Sequence, residues 1–554
     1  MRSRRFAPRA ALAVLAVLAA GGGAPLGAQS VPTPAQVDSV FAGIGGSEAP
    51  GCAVGVSVDG RPVLERAYGM ADLEHGVVNT PASRFEAGSV SKQFTAAAVI
   101  LLALEGKLSL DDDVRTHFPE LPDYGETVTV RHLLNHTSGL RDWGSVASLG
   151  GWPRTTRVHT HEHVLDILSR QRSLNYPPGR HYSYTNSGYN LQAMLVERVS
   201  GMPFAEFSRE RIFEPLGLTR TEWRDDFTRV VEDRAVAYEP APGGGWRMDM
   251  PFEDVHGNGG LLTTVGDLLA WTESLETGAL AGPALVEEMH RQGVLTDGRT
   301  IDYASGLVVS DYRDLPLVRH SGSTAGYRAY LARFPEERVG VAVLCNAADA
   351  GAGGLLHGVA DLALAGALGP EAGEPEGVAL PASALAAREG TYRNTRTHEA
   401  LRLSAADGGL RIDDRTRLVP LSDRRFQTGG GTTYTFEAAS DASERSAFVR
   451  EDGEGDRVRF EPVASFDPTT AELAAYTGTF HSDEAEATYT FSVQDGRLHV
   501  EARYGESVPL TPVYRDAFEG RGGTWRFLRD GAGRVVEVSS ITSRVWDMRF
   551  GRVR

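Results

Sequence analysis

One segment of the chain is written twice. "LAAREGTYRN" at residue 385 returns as "LAAYTGTFHS" at 473, and "DGGLRI" at 407 returns as "DGRLHV" at 495, both at an offset of 88 residues. A valine-proline-leucine step follows each pair, from Val419 to Leu421 in the first copy and from Val508 to Leu510 in the second. One offset shared by separate motifs requires two copies of one supersecondary unit. Helical periodicity is nearly absent from both, and short alternating runs around Asp-Gly turns point to antiparallel β structure. Two small barrels at 384–468 and 469–554 satisfy this best, because closure leaves no strand edge unpaired. One larger barrel or sandwich shared by the copies is the alternative. A stretch rich in Gly, Pro and Glu at 366–383 marks a linker to what precedes them.

Upstream, "CAVGVSVDGRPVLERAYG" reads as two strands around a turn at Asp59-Gly60. Helical signals follow at Ser89 to Glu105 and in "SGYNLQAMLVERVSG" and "TVGDLLAWTESLETG", the last two closed by glycine. From about residue 303 four strand-like runs return: "YASGLVVSDY", "LPLVRHSGS", "AYLARFP" and "RVGVAVLCNA". Strands at both ends and helices between imply one sheet assembled from both ends of a single α/β domain, with helices on its faces. This domain is placed at 29–365.

The net charge of −17 argues against nucleic acid and anionic membrane surfaces as partners. The start "MRSRRFAPRAALAVLAVLAA" has a basic region and a short apolar core, and "APLGAQS" offers cleavage after Ala28. Residues 1–28 therefore read as a signal peptide, and the mature chain is expected to be periplasmic or secreted, with no membrane span. The Arg4-Arg5 pair raises a twin-arginine route. Cys52 and Cys345 both lie in strand-like runs, so two buried free thiols are expected; a single disulfide is the alternative in an oxidising compartment.

The chemistry begins at "EAGSVSKQFTAAAVILL", residues 86 to 102. Ser89 and Lys92 lie three residues apart, on one face of a helix, where the amine can reach the hydroxyl as a base reaches a nucleophile. The competing reading makes Ser89 an N-cap and Lys92 a solvated residue of the first turn. Lysine usage favours the first. Of 56 basic residues only Lys92 and Lys107 are lysine, and arginine cannot serve as a base because its pKa lies above about 12. Further along, "YSYTNSGYN" supplies Tyr184 and Asn186 before a helix, and "RHSGSTAGY" supplies His320, Gly322 and Ser323 on or beside a strand. "HTHEH" at 159–163 looks metal-like, but it opens a helical run and no H-E-x-x-H occurs, so no metal is expected there. No G-x-S-x-G elbow exists, which removes the α/β-hydrolase arrangement.

Ser89-x-x-Lys92, Tyr184-x-Asn186 and His320-x-Gly322, in this order, resemble the three signature elements of the penicillin-recognising serine hydrolases, the family of class C β-lactamases, DD-peptidases, related esterases and D-aminopeptidases. The resemblance covers about residues 35 to 365 and includes "LLNHTSGL", "PLGL" and "GNGGLLTT". It implies a β-lactamase-like α+β domain with an antiparallel sheet, and the two trailing β units resemble the lipocalin-like barrels of the D-aminopeptidase branch. It implies Ser89 as nucleophile, Lys92 and Tyr184 as the proton-transfer pair with the base unassigned between them, and Asn186 as partner of Lys92 and of a substrate amide. The Ser323 and Ser89 N–H groups would receive the oxyanion. It also implies that the segments carrying Cys52 and Cys345 meet in one sheet. Where β-lactamases carry Lys-Thr-Gly, this chain has His320-Ser321-Gly322. A mostly neutral imidazole gives up a permanent cation and suits substrates with no anionic group at that end.

The sequence thus reads as an exported serine hydrolase that forms an acyl-enzyme at Ser89 on amide or ester bonds of small substrates or short peptides, without cofactor. D-aminopeptidase, DD-peptidase and esterase fit the pattern. A β-lactamase is the alternative within the class, and a non-catalytic ligand- or wall-binding protein with a vestigial site is the alternative outside it. Nothing in the sequence fixes the oligomeric state.

Overall fold

A computed structural model describes residues 31–553 except 155, 372, 374, 439–444, 453–455, 502–504 and 521. The expected signal peptide, 1–28, lies outside the described residues. The first domain is built on a six-stranded antiparallel sheet. Its strands are β1 (Cys52–Val58), β2 (Arg61–Tyr68), β3 (Val308–Tyr312), β4 (Leu315–Thr324), β5 (Tyr327–Phe334) and β6 (Val339–Cys345). They lie in the order β3-β4-β5-β6-β1-β2, so the sheet is assembled from both ends of the domain as the sequence implies. The β1–β2 hairpin turns at Asp59 and Gly60, which have φ of 50° and 72°, and positive φ at both central residues matches the strands' twist.

The packing of the first strand explains why "CAVGVSV" has Ser57 as its one polar residue. Cys52, Val54 and Val56 point into a core closed by the helix Ala352–Ala363 and the N-terminal helix Pro34–Val40, whereas Ala53 points into the core of the helical region. A strand covered on both faces shows no polar alternation. The main helices of the opposite face are α1 (Lys92–Leu104), α2 (Asn186–Ser200) and α3 (Val265–Thr277). In α1 every residue from Lys92 to Leu102 is buried, so it runs through the interior rather than over it.

The two free thiols expected from the sequence are not found. Cys52 and Cys345 are direct register partners in β1 and β6 and form a disulfide. Both sit in strand-like runs, but only the pairing of the domain's first strand with its last brings them together.

The two repeats fold as separate β units. The first forms a closed eight-stranded barrel between Gly390 and Pro462, and the second a nearly closed nine-stranded sheet between Gly478 and Arg552. Its two edge strands, Ser507–Pro509 and Thr511–Tyr514, are separated by Leu510 alone. The repeated Gly-Thr-aromatic step has a common cause. Gly390 and Gly478 have φ of 128° and 134°, and a Cβ on either would strike the guanidinium of Arg445 or Arg552. Those guanidinium groups lie over the rings of Tyr392 and Phe480. Among the described residues no helix is long and apolar enough to cross a membrane.

The second unit docks onto the helical face of the first domain. Arg141, only 2% exposed, reaches Glu484 at 2.7 Å and the Asp547 carbonyl at 2.6 Å. Tyr489 donates to the Leu149 carbonyl, and Asn175 is bonded to the backbone of both Arg544 and Trp546. The hairpin formed by Val535–Thr542 and Val545–Arg552 thereby carries its turn, with Arg544, to the surface of the first domain beside Asp142 and Asn175.

Candidate active site

Ser89 sits in a 3-10 turn, Gly88–Ser91, immediately ahead of α1, and makes no capping hydrogen bond. The N-cap reading of this serine is therefore not what the fold uses. Its turn is pressed against β4. A Cβ on Gly322 would come within 2.0 Å of the Ala87 carbonyl oxygen and 3.1 Å of the Ser89 nitrogen. A Cβ on Gly88, whose φ is 51°, would lie 2.6 Å from the Ser323 nitrogen. Glycine at both places lets the Ser89 and Ser323 backbones face one small volume. Gly322 belongs to the His320-x-Gly322 element that the resemblance singles out; Gly88 has no such signal.

Lys92 lies one turn further along and is fully buried. Its Nζ is 3.1 Å from Ser89 Oγ, and it donates to Asn186 Oδ1 at 3.0 Å and to the Asn258 carbonyl at 2.7 Å. Burial pushes its pKa well below that of an ordinary lysine; Arg544 lowers it further, and Asp142 partly opposes the shift. In the neutral state the amine has two N–H donors and one lone pair. The two carbonyl-type acceptors take the donors, and the lone pair is left for the Ser89 hydroxyl. The carbonyl of Asn258 has no sequence signature beyond "GNGG". It is held because the Asn258 side chain accepts from Asn190 and because Gly260 N–H donates to Glu86, itself paired with Arg224 at 2.9 Å. Both members of that pair are 1% exposed, so the turn beneath the lysine is anchored from below.

Asn186 opens α2, with Thr185 as its N-cap. Its own N–H donates to Asp142 Oδ2 at 2.8 Å, a contact the sequence reading missed. Tyr184, two residues earlier, places its ring under Lys92 Nζ, 4.8 Å from the centroid. His136, from the "LLNHTSGL" segment, packs between the rings of Tyr184, Tyr189 and Tyr303, and burial drives its pKa well down. This aromatic stack fixes the plane of Tyr184 without adding charge.

His320 is 4% exposed. Its Nδ1 donates to the Ser321 carbonyl at 2.6 Å, which leaves Nε2 to accept from Tyr303 Oη at 3.1 Å. Burial, aided by Lys92, lowers its pKa to about 3, so the ring is neutral across the physiological range. The expectation of a neutral imidazole holds. The cleft nevertheless has a cation beside Tyr184, because Arg544 of the second β unit sets its guanidinium 5.2 Å from the Tyr184 ring centre.

All seven residues picked out in the sequence, Ser89, Lys92, Tyr184, Asn186, His320, Gly322 and Ser323, are brought to one place. Six line a single cleft of about 700 Å³, and Lys92 lies beneath its floor. From the "HTHEH" run only His161 enters a group with metal-ligand spacing, together with Glu197 and His256. His161 Nε2 is already bonded to the His256 carbonyl, and the group lines no part of the cleft.

A β-lactamase family model matches residues 37–365, more than half of the chain. The chain belongs to the β-lactamase family. This makes it a serine hydrolase of the β-lactamase-related group. Its relatives include a D-aminopeptidase of Gluconobacter oxydans, 28% identical over 91% of this chain and 96% of the relative. A D-aminopeptidase of Brucella anthropi is 27% identical over 90% of this chain and 94% of the relative. Both alignments extend beyond the β-lactamase-family domain into the repeats. Among solved structures, the octameric penicillin-binding protein homologue from Pyrococcus abyssi superposes with a TM-score of 0.55 at 26% identity, covering 77% of this chain and 98% of that one. D-amino acid amidase from Ochrobactrum anthropi SV3 shares the fold at a TM-score of 0.50 and 22% identity, covering 60% of this chain and 96% of that one.

Proposed function

We propose that this β-lactamase-family chain cleaves amide or ester bonds of small substrates or short peptides through an acyl-enzyme at Ser89. The observation that carries the proposal is the placing of Lys92 Nζ, 3.1 Å from Ser89 Oγ and within 3.0 and 2.7 Å of two carbonyl-type acceptors: in the neutral amine those acceptors take both N–H groups and leave the lone pair for the nucleophile. Ser89 Oγ attacks the carbonyl carbon as Lys92 takes its proton. The developing oxyanion lies against the Ser89 and Ser323 N–H groups, each worth about 3 kcal/mol to the transition state. Tyr184 relays the proton to the leaving group; a water then attacks the ester along the reverse path. Asn186 both orients Lys92 and offers an amide to the substrate. The D-aminopeptidase relatives favour peptide or amide bonds, with DD-peptidase and esterase activity as neighbouring chemistry on the same site. The disulfide between Cys52 and Cys345 supports export to an oxidising periplasm or exterior, as does the basic and apolar leader at 1–28.

A fluorophosphonate probe followed by peptide mass spectrometry tests the reading. Label on Ser89, abolished by Ser89→Ala, is the expected result. A folded protein that takes no label would mean a binding protein with a vestigial site. Turnover across D-aminoacyl amides, p-nitrophenyl esters and a chromogenic cephalosporin then ranks peptidase, esterase and β-lactamase action.

A further inference from the structure

The polar wall of the cleft is written in arginine. Arg154, Arg319, Arg328 and Arg544 line it, and no Asp or Glu is among the described residues that do, in a chain whose net charge is −17. The charges are not equivalent. Arg154 is neutralised by Glu253, to which Nε donates at 2.9 Å. Arg319 and Arg328 form no ion pair within 4.0 Å among the described residues. Arg319 donates to Tyr330 Oη at 3.3 Å, and Arg328 is turned onto the carbonyls of Ala325 and Tyr327 at 2.7 and 2.8 Å.

Arg544 is set differently. Its backbone is fixed to the catalytic domain, with its carbonyl accepting from Asn175 Nδ2 at 3.0 Å and from the Asp142 N–H at 3.4 Å. The side chain is 39% exposed, lines the cleft and stands over the Tyr184 ring. Its one ion pair among the described residues is a long one, Nη1 to Asp142 Oδ2 at 3.8 Å, and that oxygen already accepts from the Asn186 N–H at 2.8 Å. Among the described residues its guanidinium donates no hydrogen bond within 3.5 Å, so most of the five donors can face a ligand. The cation that β4 lacks at His320 is delivered instead from the far end of the chain.

We propose that the cleft selects substrates bearing a carboxylate close to the reacting carbonyl, and that Arg544 is the specificity residue that receives it. A substrate presenting a free ammonium, as the word aminopeptidase in the relatives' names implies, would meet a cation and no acidic wall. The inference rests on the acyl-enzyme reading above and narrows it to one substrate class. It also replaces the sequence-based expectation that the His320 substitution frees the site from anionic substrates.

Two matched series of substrates test it. In p-nitrophenyl esters the acyl part is glutarate, its methyl ester, or 5-(trimethylammonio)pentanoate; in S-acetyl thioesters the leaving group is mercaptopropionate, its amide, or thiocholine, every rate being taken above spontaneous hydrolysis. In at least one series the carboxylate member should exceed its neutral partner in kcat/KM by about tenfold or more. Arg544→Gln should bring that ratio to within about twofold of one, and Arg544→Glu should favour the ammonium member. The ratio cancels any common effect that Arg544 exerts through Lys92. A wild-type ratio near or below one in both series overturns the proposal. So does a ratio that survives both Arg544 substitutions, or one that collapses in Arg319→Gln and not in Arg544→Gln. Thermal melts confirm that the variants are folded. Absence of Ser89 labelling together with absence of turnover on every member would instead strike the acyl-enzyme reading itself, so the two failures are distinguishable.

Discussion

Replacing Lys92 by methionine isolates the base at nearly constant shape. The native amine is fully buried, satisfies Asn186 Oδ1 and the Asn258 carbonyl, and stands 3.1 Å from Ser89 Oγ. Methionine strands the two acceptors, at about 1–3 kcal/mol each. Against this it removes the desolvation of the amine that lowers the native pKa, so the net loss of stability should stay below about 4 kcal/mol. The chemical loss is larger. Deleting a positioned general base costs about 10²- to 10⁴-fold, or about 3–5 kcal/mol of barrier at ~1.4 kcal/mol per tenfold. Lys92→Arg is the less clean variant, because it forces a permanently charged and bulkier guanidinium into a site with no exposure. The assay is pre-steady-state release of p-nitrophenol from p-nitrophenyl acetate, with far-UV circular dichroism to verify folding. A folded Lys92→Met protein retaining more than a tenth of wild-type kcat/KM would refute the proton-transfer role.

The pH dependence follows from the same lysine. Only the neutral amine is a base, so kcat/KM should rise with pH through a folded-state pKa well below 10.5, and Arg544→Gln should move that limb to higher pH by removing a neighbouring cation. The unfolded lysine takes a proton that the native one refuses, so Lys92 costs stability as pH falls from about 10.5 toward the folded value; Lys92→Met should flatten this slope in urea titrations. Thiol titration of the denatured, unreduced protein should find no reactive groups, and two after reduction; reduction should cost about 2–5 kcal/mol, and two free thiols at the outset would disprove the Cys52–Cys345 bond. Glu484→Ala leaves Arg141, 2% exposed, without its carboxylate; urea melts should lose about 3–5 kcal/mol, with the second β unit loosened from the catalytic domain, and an unchanged midpoint would show that this pair does not hold the two together.

The local chemistry was legible in the sequence because its geometry is local. Ser89 and Lys92 are neighbours on one turn whatever surrounds them, the Asp59-Gly60 turn specifies its own hairpin, and an 88-residue offset announces two copies of a β unit before either is placed. The scarcity of lysine even marked which cation the chemistry needs. Features that depend on which surfaces meet were not legible. The disulfide needs β1 beside β6, 293 residues apart along the chain. The Asn258 carbonyl becomes the lysine's acceptor only because Glu86 and Arg224 anchor the turn beneath it. Arg544 sits among many arginines with nothing in its neighbourhood to single it out, and it enters the cleft only through the docking of Arg141, Glu484 and Asn175. Side-chain periodicity and turn chemistry act over a few residues and can be read from one strand of text. A contact between distant segments is decided by how whole layers pack, and that information exists only in the tertiary structure.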